Sequence, residues 1–127
     1  MVRKLFAGAA LGVVVVAGGP ALAQEGDPAE GERVYRMCMA CHVVDQEQNR
    51  VGPHLVGLFG REAGSVEGFN YSNALKESGI VWDEETLDAY LEDPRGYIPG
   101  NIMAFPGVRQ EQQRADLIAY LKQATAQ

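Results

Sequence analysis

The strongest constraint on this chain is a run of five residues, Cys38-Met39-Ala40-Cys41-His42, which contains both of its cysteines. A covalent haem c employs all three reactive side chains. The two thiols add to the two vinyl groups, their spacing matches the span across one haem edge, and the histidine lies under the iron as proximal ligand. The alternatives use less of the run. A disulfide between Cys38 and Cys41 closes a very small loop and would stabilise little. A redox dithiol would lack the strand-to-helix setting of a thioredoxin-like site and leave His42 without a role. Zinc requires about four ligands, and the only other histidine is His54.

A haem with its sixth position filled needs a second axial ligand. Of the four methionines, Met1 lies in the leader, and Met37 and Met39 flank the cysteines and cannot reach the far face. Met103 sits in Pro99-Gly100-Asn101-Ile102-Met103-Ala104-Phe105-Pro106-Gly107, a stretch whose prolines and glycines make a stiff non-helical loop. Such a loop can hold one thioether inward at little ordering cost. Two readings compete: Met103 as core filler, and His54 as the ligand, although Gly52-Pro53 puts His54 beside the proximal side.

The N-terminus reads as an export leader. Arg3 and Lys4 precede an uncharged apolar run from Leu5 to Gly18, and Ala21-Leu22-Ala23 fits a small-x-small cleavage site. The expected layout is a signal peptide over 1–23, cleaved after Ala23, and one domain over 24–127. An uncleaved anchor is the rival, since a span needs ~20 apolar residues and the run nearly reaches that if extended to Ala23. Two of the 11 basic residues belong to the leader, so residues 24–127 carry 9 basic and 17 acidic side chains, a net of −8. That balance disfavours a nucleic-acid partner. A domain of this size buries a modest fraction of its surface, and a large apolar cofactor would add to its core.

Along the chain the patterns are helical. Asp27-Pro28 reads as N-cap and first residue of a helix reaching about Cys38, with Gly31 and Tyr35 on one face. Residues 43–59 read as loop, and 71–76 as a short helix before Gly79. A third helix starts near Asp83, with Leu87, Tyr90 and Leu91 as its stripe, and stops at Asp93-Pro94. The last spans about Gln110 to Ala124, with Leu117, Ile118, Tyr120 and Leu121 on its buried side. No strand is expected. The fold class is all-α, with long loops that make sense around a prosthetic group.

With these residues in view, the chain resembles the mitochondrial-type class I cytochrome c family, in its bacterial periplasmic branch. The likeness spans roughly Gly26 to Ala124. Besides the Cys38–His42 run it is carried by Gly52-Pro53, Gly57-Leu58-Phe59-Gly60-Arg61, Gly68-Phe69-Asn70-Tyr71, Trp82, Tyr97-Ile98-Pro99-Gly100, Met103-Ala104-Phe105 and Arg114-Ala115-Asp116-Leu117-Ile118-Ala119-Tyr120-Leu121. The resemblance implies a fold in which the first and last helices pack together, with Gly31 and Tyr35 against Leu117 and Tyr120. It implies Met103 as sixth ligand, and a hydrogen bond from His42 to the Pro53 carbonyl that fixes the tautomer. Arg61, Tyr71 and Trp82 would meet the haem propionates, Tyr90 would sit near the Met103 sulfur, and Phe105 would join the apolar shell.

Three positions depart from the family pattern. Asn101 stands where a threonine usually helps hold a propionate, and it can still donate. Leu75 replaces an asparagine of an internal water network, which predicts a drier site. Ile102 replaces a lysine, and no lysine lies between Glu77 and Leu121, so the Met103 loop cannot supply a replacing lysine at high pH. With Met37 also at a usual lysine position, Arg36 and Arg95 remain near the haem edge, and steering toward an acidic partner is expected to be weak.

The expected function is a monomeric periplasmic one-electron carrier, not an enzyme, without stable membrane insertion. Its implied donors are a quinol–cytochrome c reductase or a dehydrogenase. The implied acceptors are an oxidase, a peroxidase or a photosynthetic reaction centre. A haem enzyme or gas binder would need an open sixth position, and a purely structural domain would have no use for the haem.

Overall fold

The structure, a computed structural model, describes residues 5, 7–15 and 25–126. The proposed cleavage site at Ala21–Ala23 and much of the leader lie outside the described residues. Residues 7–15 form no regular element, and among the described residues no helix is long and apolar enough to cross a membrane.

Among the described residues five helices follow in order: α1 Pro28–Tyr35, α2 Asn73–Lys76, α3 Glu84–Glu92, α4 Pro94–Tyr97 and α5 Glu111–Ala124. Among the described residues the only β-type pairing is an isolated bridge between Glu62 and Val81. The all-α expectation therefore holds.

α1 starts as its sequence dictates. The Asp27 carboxylate accepts from the Ala29 amide at 2.9 Å, Pro28 occupies the first turn where no donor is missed, and Glu30 faces the positive end of the helix. It ends at Tyr35, three residues before the expected Cys38. From there amides reach back three residues as well as four, with Arg36 donating to the Arg33 carbonyl, Cys38 to Tyr35, and Cys41 and His42 to Cys38. The chain tightens into successive turns, and these bring both thiols and His42 onto one cavity.

α1 crosses α5 closely enough that a Cβ at Gly31 would run into the Asp116 carbonyl and the Tyr120 Cβ. Beside this contact the Tyr35 and Tyr120 rings lie 5.3 Å apart. The first helix is also pinned at its start, because buried Asp116 accepts from the Asp27 amide and from Gln112 Nε2, both at 2.8 Å. Leu117, fully enclosed at 0 % exposure, sits at the centre of the core with Leu58, Trp82, Leu87, Leu91 and Leu121. Burying such a leucine contributes roughly 1.5–3 kcal/mol. The pairing of first and last helices agrees with the expected fold.

α3 opens with a capping box in which Asp83 accepts from the Thr86 amide at 2.8 Å and the Thr86 hydroxyl accepts from the Asp83 amide at 2.9 Å. It stops before Pro94 as expected, but the chain does not then become loop. Asp93 also caps α4, accepting from the Gly96 amide at 3.1 Å, with Pro94 at the first helical position. The proline that stops one helix starts the next. Buried Arg114 ties the pieces together, donating to Asp88 Oδ1 on α3 at 2.8 Å and to the Val108 and Arg109 carbonyls.

Candidate haem site

The turns after α1, the loop 51–72, α3 and the segment 101–105 enclose a cavity of about 330 Å³. Its lining is mostly apolar, with Leu58, Phe69, Leu75, Trp82, Leu91 and Phe105 among the walls. The cavity also brings together Cys38, Cys41, His42 and Met103. His54, the rival ligand, is not in this lining; its Nδ1 accepts from the Val56 amide at 3.2 Å instead.

His42 is set by backbone. Its Nδ1 lies 2.8 Å from the Pro53 carbonyl, so that nitrogen carries the proton and donates, leaving the Nε2 lone pair free. Gly52 makes this possible, because a Cβ there would run into the imidazole ring. The Gly52 amide also donates to the Cys41 carbonyl at 2.9 Å, and the Tyr35 hydroxyl to the His42 carbonyl at 2.7 Å. Burial holds the His42 pKa below its ordinary value, against the opposing pull of the Pro53 bond and with some help from Arg61. Burial thus favours the neutral imidazole, the form that a metal requires. Burial, with the neighbouring Cys41, pushes the Cys38 thiol up to about 11. Cys38 and Cys41 are not bridged to each other.

Met103 reaches the cavity from the non-helical segment, as the sequence suggested. The Tyr90 hydroxyl lies 3.8 Å from its sulfur and can donate to it. Burial raises the Tyr90 phenol to about 12, which keeps that proton in place. The Tyr90 ring leans on Trp82 at 5.0 Å and Tyr97 at 6.5 Å.

The residues assigned to propionates line the same cavity, and three of them also bond within the chain. Arg61 donates through one guanidinium nitrogen to the His54 and Val56 carbonyls at 3.0 and 3.1 Å. Burial lowers its pKa, and it is the only cation among the lining residues. The Tyr71 hydroxyl accepts from the Val66 amide at 3.1 Å, leaving its proton for a partner. Trp82 is buried. Asn101 differs from the expectation. Its Nδ2 donates to the Pro94 and Ile98 carbonyls at 2.7 and 2.8 Å, so both amide hydrogens are engaged within its own segment.

Three features escaped the sequence reading. Gly52 stands in a motif whose pattern does not show that it admits the His42 ring. Ser72 caps α2 by accepting from the Leu75 amide at 3.2 Å while lining the cavity, and a serine three residues before Leu75 was the available signal. Asn49 ties two loops, accepting from the His54 amide at 3.0 Å and donating to the Glu67 carbonyl at 3.2 Å. No local pattern marks that role.

An apolar cavity with paired thiols, a tautomer-fixed imidazole and a thioether fits an iron macrocycle. Fold and site together define a c-type haem protein. The family model described as Cytochrome c matches residues 28–125. A "Cytochrome c2" of Blastochloris viridis is 50% identical over 125 residues, covering 98% of this chain and 95% of that one. Similar identity links it to "Cytochrome c" of Chlamydomonas reinhardtii (50%, covering 82% and 95%) and of Nigella damascena (45%, covering 82% and 96%). The chain belongs to the cytochrome c family. It binds a single covalent haem c and is an electron-transfer protein rather than an enzyme.

Proposed function

We propose that this protein is a periplasmic one-electron shuttle whose haem iron is held between His42 and Met103. The observation that carries the reading is the pairing of a His42 ring oriented by Pro53 with a Met103 sulfur in the same cavity, 3.8 Å from the Tyr90 hydroxyl. Haem c supplies the ferric–ferrous couple when bound. The chain's own contribution is to set the potential and exclude water. A His/Met pair and an apolar wall both favour the reduced state. Arg61 and Tyr71 supply donors for the acidic tails, which burial would otherwise penalise.

Export of residues 24–127 after cleavage at Ala23 completes the reading. Its support is the leader pattern, together with the likeness to the bacterial relative, which extends over nearly the whole chain. The partners are redox proteins: a quinol–cytochrome c reductase or dehydrogenase as donor, and an oxidase, peroxidase or reaction centre as acceptor. Docking is expected to be apolar. Met37, Val51 and Ile102 line the cavity mouth at 55 %, 80 % and 70 % exposure, on a molecule of net charge −8 outside the leader.

Visible and near-infrared spectra of both redox states, with a potentiometric titration, test the ligand set. The expected ferric protein has a sulfur-to-iron near-infrared band, and a bis-histidine or high-spin spectrum would overturn the assignment. N-terminal sequencing of the exported protein checks the cleavage site. Electron transfer to an acidic partner should change little with ionic strength, and a steep fall on adding salt would refute apolar docking.

A further inference from the structure

We propose that Asn101 is a positioning residue for Met103, a clamp that presets the ligand sulfur rather than a donor to the haem. Its planar amide makes three hydrogen bonds along one segment. Oδ1 accepts from the Met103 amide at 3.1 Å, and Nδ2 donates to the Pro94 carbonyl at 2.7 Å and to the Ile98 carbonyl at 2.8 Å. Pro94 is among the most completely buried side chains in the molecule. The amide therefore fastens the backbone of the ligand residue to the base of α4, which itself starts from the Asp93 cap.

Few other bonds hold this segment. Its remaining backbone bonds are local: Asn101 to the Ile98 carbonyl at 3.1 Å and Phe105 to the Met103 carbonyl at 3.0 Å. Tyr90 touches the sulfur itself. Without the Asn101 side chain the Met103 amide loses its partner, and nothing joins residue 103 to α4. Methionine is a flexible side chain with several rotatable bonds. An anchored backbone removes much of the freedom that would otherwise oppose a weak thioether–iron bond. A residue with only one polar side-chain atom could not make all three bonds, since an amide carries both a carbonyl acceptor and two N–H donors.

This inference rests on Met103 as axial ligand, and the test separates the two claims. Ferric holoprotein is titrated with imidazole while the sulfur-to-iron near-infrared band is followed. The wild type should show the band and lose it only at high imidazole concentration. Asn101→Ala should bind imidazole roughly tenfold more tightly, the scale expected when about one net hydrogen bond's worth of anchoring is lost. Asn101→Thr, whose hydroxyl can still accept from the Met103 amide, should recover part of the difference. Helical circular dichroism through a urea titration measures overall folding separately. An imidazole affinity of Asn101→Ala within about twofold of wild type would overturn the clamp. If that variant does not retain haem, Asn101→Thr decides: an unchanged affinity overturns the clamp and a raised one supports it. A wild type with no band would show instead that Met103 is not the ligand, and both claims would fall.

Discussion

The two sides of the haem site are built by different means. On the histidine side, backbone does the positioning. His42 bonds to the Pro53 carbonyl, Gly52 packs under the ring and donates to Cys41, and the run hangs from a helix locked against α5. On the methionine side, the segment 99–107 has no helix, and side chains do the positioning, through the Asn101 amide and the Tyr90 hydroxyl. The difference concerns tolerance. A backbone device fails when one atom is added, whereas a side-chain device weakens by increments as groups are removed.

Three substitutions probe that contrast, beginning with the most damaging. Gly31→Val places a branched side chain against the Asp116 carbonyl and Tyr120, so α1 and α5 must separate. A loss of about 3 kcal/mol is expected from overpacking of this kind, read from denaturant unfolding of the holoprotein. A loss below 1 kcal/mol would mean that the helix crossing has slack.

Gly52→Ala adds a single methyl group where the His42 ring packs. The expected cost is roughly 2 kcal/mol, with a change in the low-spin haem spectrum as the ring turns away from Pro53. Unchanged spectra and stability would show that the histidine side gives as readily as the other, and the contrast would collapse.

Tyr90→Phe removes one hydroxyl from the methionine side and should cost only about 1 kcal/mol. Its signature lies in pH. The phenol is raised in the folded protein from 10.0 to about 12. Its contribution is therefore fully present below pH 10 and is lost as pH rises through 12, because the unfolded chain ionises first. The alkaline fall in stability should be shallower in Tyr90→Phe, with the remainder due partly to Tyr35, also raised to about 12. Because no lysine lies between Glu77 and Leu121, no lysine from the Met103 loop should replace the sulfur in this range. Spectroscopic proof of such a ligand would contradict that expectation.

The sequence exposed the histidine side more fully than the methionine side, for the same physical reason. Caps and the Cys38–His42 run act within a few residues, so Asp27, Pro28 and Asp83 are readable locally, while the Pro53 bond to His42 enters through the family resemblance. α4 is hidden in the sequence because Asp93-Pro94 reads as a stop, although proline is equally suited to a first turn. The pattern carries α1 on to Cys38, because composition does not reveal where amides shift to closer acceptors. The family resemblance puts Asn101 at a propionate-holding position, and its amide can donate there. Which carbonyls compete for its hydrogens depends on the path of the chain from Pro94, and no window around residue 101 contains it.

The Val108 amide donates to the Leu91 carbonyl at 2.7 Å, and this bond closes a lasso. Both ends of the stretch that carries Met103 meet at one rung on α3, so the stretch can open without untying its base. Hydrogen exchange should then distinguish two motions that optical spectra merge. The Met103 amide would exchange whenever the lasso breathes, and the Val108 amide only when its knot slips. An electron carrier gains from that arrangement, because any opening of the segment around Met103 leaves its base on α3 closed.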